Sequence, residues 1–135
     1  MLIDHVPQKF LDQDWGLVLS VNLMSQLPIH LEKYIQKKLK NKFTDLEISG
    51  YLQNSTRNHL KYLNLFNTTV LMITDTEVIY CDKNDNVIQI DKNYDHLSLP
   101  EKILSWNWNL APIPEFQKDV AIKMKVGAFA IKKQK

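Results

Sequence analysis

The sequence predicts an α+β fold: a mainly antiparallel sheet of five or six strands, including a three-stranded meander, with two or three helices packed on one face. Three observations lead there. Leu17, Leu19, Val21 and Leu23 alternate with Val18, Ser20 and Asn22, the period of a strand with one core face. Leu31, Ile35 and Leu39 recur every four residues in SQLPIHLEKYIQKKLKNKF, the stripe of an amphipathic helix. The β-branched runs TTVLMIT, EVIYCD and NVIQID are separated only by Asp75-Thr76 and by Lys83-Asn84-Asp85-Asn86, spacers short and polar enough for hairpin turns.

The first strand opens after Gly16. In the helix behind it, Pro28 suits the first turn, Tyr34 and Phe43 widen the stripe, and lysines near the C-terminus complement the dipole. TDLEISGYLQ reads as a strand, with Leu46, Ile48 and Leu52 on one face. NSTRN reads as a loop, and residues 59–67 as a short helix. After the meander, Ser98-x-x-Glu101 with Pro100 between has the form of a capping box, which predicts a helix through Ile103, Leu104 and Trp108 that Pro112 and Pro114 end. In VAIKMKVGAFAIKK, Val120, Ile122, Met124 and Val126 share a face. Beyond Gly127 the large apolar residues change parity to Phe129 and Ile131, so a bulge is expected at the glycine.

A chain of 135 residues, 44% hydrophobic and 24% charged, is expected to fold as a single domain over 1–135, with residues 132–135 a frayed basic tail. The sole cysteine, Cys81, excludes an intrachain disulfide and a four-cysteine zinc site. With only Gly16, Gly50 and Gly127, no phosphate-cradling loop, dinucleotide fingerprint or acetyltransferase-type glycine loop can form. No apolar run approaches the roughly 20 residues of a membrane span, and MLIDHVPQKFLDQDW lacks the form of a secretory leader. A cytoplasmic location without a membrane partner is the expectation.

Candidate chemistry is sparse. His5, His30, His59 and His96 form no i, i+4 pair, and His30, beside Leu31, reads as a partly buried structural residue. Cys81 lies in a strand-like run and is followed by Asp82, whose charge disfavours a thiolate, so it reads as core. Asp75, Asp82, Asp85, Asp91 and Asp95, with Lys83 or Lys92, resemble in outline the carboxylates and lysine of a small metal-dependent nuclease, but Asp75, Asp85 and Asp95 fall where turns favour aspartate. No catalytic residue, metal or cofactor is assigned.

Two lysine clusters suggest nucleic-acid binding as an alternative. Lys33, Lys37, Lys38, Lys40 and Lys42 lie on the first helix, and Lys123, Lys125, Lys132, Lys133 and Lys135 on or after the last strand. Against it, lysine is the normal solvated face of such a helix and of an edge strand, the net charge is only +2, and Arg57 is the one arginine.

The run LSWNWNLAPIPEF favours protein binding. Tryptophan combines a large apolar area with an N–H donor, and Pro112 and Pro114 stiffen the segment C-terminal to it. Trp108 is expected in the core with Leu104, and Trp106 at the surface with Asn107, Asn109, Ile113 and Phe116. Asp82 and Asp85, in the acidic turns, would face a basic partner. The leading expectation is a non-catalytic interaction module of inhibitor, immunity or accessory-subunit type, whose partner is another protein. The exposed sheet edge also admits a homodimer.

Overall fold

A computed structural model of the chain describes residues 6–39 and 41–132. Among them are two helices and five strands: β1 (Leu17–Val21), α1 (Leu23–Lys38), α2 (Asp45–Leu65), β2 (Thr69–Asp82), β3 (Val87–Lys92), β4 (Glu101–Ala111) and β5 (Val120–Lys132). The strands form one open, mostly antiparallel sheet in the order β1-β2-β5-β4, with β3 also paired to β2. The class is α+β, as the sequence predicts. The backbone divides into two compact units, Met1–Met72 with Ala130–Lys135, and Ile73–Phe129.

In the first unit the chain turns from β1 into α1 through one residue, Asn22, whose left-handed backbone (φ 55°) an asparagine tolerates. The expected alternation in β1 is present, but the face is inverted. Ser20 is buried and Val18 half-buried, while Leu17, Leu19 and Val21 are exposed. The inward position goes to serine because its hydroxyl meets the ring Nε2 of the buried His59 at 2.8 Å. A hydrogen-bonded polar pair is cheap to bury, so hydropathy alone misassigns the face.

Helix α1 buries Met24 and Ile35 and half-buries Leu27, Leu31 and Leu39, the expected stripe extended toward its N-terminus. Three details differ. Tyr34 is exposed, His30 is exposed rather than partly buried, and Pro28 lies inside the helix rather than in its first turn. There it removes one helical N–H donor.

The strand expected at 44–53 and the loop expected at 54–58 are helix. Thr44 caps α2: its side chain accepts from the Glu47 N–H, and the Glu47 carboxylate accepts from the Thr44 N–H at 2.7 Å. The buried stripe then runs Thr56, His59 and Leu63, with Leu52 half-buried one turn before. Thr56 satisfies its own hydroxyl by donating to the Gln53 carbonyl. Leu46, which suggested a strand face, is 84% exposed. The short helix expected at 59–67 is the last part of α2, which ends at Leu65. Phe66, Val70, Met72 and Ala130 add to the buried apolar set of this unit, and the buried Thr68 donates from its hydroxyl to the Gly16 carbonyl. Lys132, expected to fray, closes β5 and donates from Nζ to the Phe66 carbonyl. Residues 133–135 lie outside the described residues.

In the second unit the predicted hairpin at Asp75-Thr76 does not exist, and β2 runs straight through. Both residues find partners across the sheet. The buried Asp75 accepts from Asn93 Nδ2 at 2.9 Å, and Thr76 donates to the Lys125 carbonyl at 3.1 Å. The three-stranded meander is therefore a β2–β3 hairpin. Its turn lies where expected, with Asp85 left-handed (φ 65°) and the Asp82 carboxylate accepting from the N–H groups of Asn84 and Asn86. The two strands are antiparallel, with Ile79 opposite Ile90 and Tyr80 opposite Gln89, and a register shift after Tyr80.

The helix expected from the Ser98–Glu101 box, with its end at Pro112 and Pro114, is instead a strand, β4, whose last residue, Ala111, precedes Pro112. Strand β5 buries Ile122 and Val126 and then, with changed parity, Phe129. Gly127 marks the change: a Cβ there would lie 2.7 Å from the Phe129 ring. Cys81 is buried, as expected, and the Tyr94 hydroxyl meets Thr74 Oγ1 at 2.7 Å.

Candidate interaction surface

Strand β4 ends the sheet order, with β5 as its one neighbour among the described strands. The eight residues between them are too few for a parallel crossover, so the two strands form an antiparallel hairpin. Side chains alternate along β4, which puts Leu104, Trp106, Trp108 and Leu110 on one face and Ile103, Ser105, Asn107 and Asn109 on the other. Leu104 is 61% exposed, Trp106 40% and Trp108 50%. The expected division, Trp108 in the core and Trp106 outside, is wrong. A strand gives both rings the same direction, and no described residue buries that face. Ile103 and Leu110 are exposed as well.

The other residues singled out from sequence fall near this strand, all within the second unit. Asn109, Ile113, Asp82 and Asp85 line one hollow of about 290 Å³ together with Pro112 and Lys123. Phe116 is exposed, its ring 6.2 Å from that of Tyr80. Burial, with the Asp91 charge behind it, raises the Tyr80 phenol above its ordinary value, so it stays neutral. The acidic turn is largely occupied within the chain. Lys123 Nζ meets Asp85 at 2.5 Å, a bond that raises the lysine above its ordinary value. Hydrogen bonds from the Asn86 side chain and N–H hold Asp82 below the usual carboxylate range.

The basic and metal-binding alternatives have little geometry behind them. Lys123 pairs with Asp85, Lys125 lies 3.6 Å from Glu77, and Lys132 donates to a carbonyl, so each of the three described members of the C-terminal cluster has a partner. Lys33, Lys37 and Lys38 are exposed on α1, with Lys42 just after it, while Lys40, Lys133 and Lys135 lie outside the described residues. Among the described residues no three His, Cys, Asp or Glu side chains gather as metal ligands. No described helix is long and apolar enough to cross a membrane.

Sequence reasoning missed the Ser20–His59 pair. No sequence signal marked it, because Ser20 falls at the parity of β1 that hydropathy assigns outward. Both groups are buried, and desolvation lowers the imidazole below its ordinary 6.5. The pair is thus a neutral hydrogen bond inside the fold. Because the unfolded ring binds its proton more readily, the stabilisation is whole above pH 6.5 and is lost as pH falls below it. Urea midpoints should therefore hold steady above neutrality and drop on going to pH 5.5. The His59→Gln variant should lose that drop. An equal drop in the variant would show that His59 is not its source.

Set against protein families, curated proteins and solved structures, the chain matches none.

Proposed function

We propose that this protein is a non-catalytic interaction module that docks another protein chain onto β4 by surface complementarity. The carrying observation is the uncovered apolar face of β4, where Leu104, Trp106, Trp108 and Leu110 follow one another in exposed positions. Asn107 and Asn109 project from the opposite face of the strand, where Asn109 and Ile113 share a hollow with Asp82 and Asp85, and the exposed Phe116 follows beyond Pro112. Tryptophan is one of the residue types in which interface hot spots are enriched.

The test is capture from an extract of the native host, using tagged chain after nuclease treatment. At least one protein, untagged copies of the chain included, should be retained by the wild type and lost from the Trp106→Lys, Trp108→Lys double variant. Retention that vanishes on nuclease treatment, or that the double variant leaves intact, would refute docking through β4.

A further inference from the structure

We propose that the chain docked on β4 is a second copy of this protein, paired antiparallel through the free edges of the two β4 strands about a two-fold axis. The proposal rests on the reading of β4 as the docking surface and adds the identity of the partner.

The first ground is the absence of protection. Edge strands are normally blunted by lysine, proline, a bulge or a covering element, because their unpaired N–H and C=O groups accept any strand offered. From Ile103 to Leu110, β4 has no charge, no proline and no glycine. The strand that such an edge meets most often in solution is the same edge on another copy.

The second ground is self-complementarity. A two-fold axis perpendicular to the sheet keeps each face of β4 with itself. Centred on Trp106, the pairing sets Trp106 opposite Trp106 of the second copy and Leu104 opposite Trp108. On the other face, Ser105 lies opposite Asn107. Aromatic and aliphatic pairs of this kind are the stabilising units of an antiparallel ladder, and the serine and asparagine can hydrogen-bond. The only charges of β4, Glu101 and Lys102, are both at its first end, so antiparallel pairing sends them to opposite ends of the ladder and opposes no like charges.

Sedimentation of the purified full chain across a dilution series tests this. The wild type should sediment at twice the monomer mass and dissociate on dilution. Trp106→Lys and, independently, Leu104→Lys should each give the monomer mass, a twofold fall, with unchanged far-UV circular dichroism to show that the exposed substitutions leave the fold intact. A wild type that is monomeric throughout would overturn the proposal, as would a dimer that neither lysine splits. The capture experiment remains separate: extract protein held through the two tryptophans by a monomeric chain would sustain β4 docking while refuting the second copy.

Discussion

Replacing Met72 by alanine should destabilise the protein by about 2–5 kcal/mol, the range for truncating a long buried side chain where the surroundings relax only in part. Met72 is 0% exposed and lies on β2, which has β1 on one side and β5 on the other. Strands held on both sides cannot close readily over the hole. The internal control is Leu104→Ala on the exposed β4, which should change stability by no more than about 0.5 kcal/mol in either direction. Urea unfolding of both variants at neutral pH, at a concentration low enough to keep the chain monomeric, checks the pair. A Met72→Ala cost no larger than that of Leu104→Ala would mean that the β2 core is not packed as described.

The second large effect belongs to Gly127. Its Cβ would come within 2.7 Å of Cε2 and 2.8 Å of Cζ of the Phe129 ring. The ring is buried, so it cannot give way without disturbing its neighbours. Gly127→Ala should therefore destabilise by about 1–3 kcal/mol, the usual cost of overpacking. The backbone there is not left-handed, so the cost is one of space and not of φ. That distinction makes the prediction specific: in a Phe129→Leu background, most of the Gly127→Ala penalty should vanish. A double-mutant cycle by urea unfolding measures the coupling, and strict additivity would refute the steric account.

The α+β class was legible because β-branched runs and a four-residue apolar repeat are local signals, and each named its element well in α1, β3 and β5. The failures share a cause. Asp75 and Thr76 look like a turn, but their polar groups are satisfied by Asn93 and by the Lys125 carbonyl, residues 18 and 49 positions away. Ser98 and Glu101 look like a cap, but β4 pairs with β5 and the box never forms. Thr44 and Glu47 do form a box, hidden in a segment whose leucines suggested a strand. Where polar residues could choose between a local and a distant partner, tertiary pairing decided, and a single sequence does not display it. The candidate surface was legible in its residues, since the tryptophans, asparagines and Ile113 do fall together on or beside β4. Its geometry was not, because helix and strand send Trp106 and Trp108 in different directions.

The uncharged run of β4 has a consequence for biosynthesis. A ribosome delivers Ile103–Leu110 before it delivers β5, so this sticky segment emerges while the strand it pairs with is still untranslated. Refolding from denaturant meets the same interval with every molecule at once, and the yield of recovered protein should fall as concentration rises.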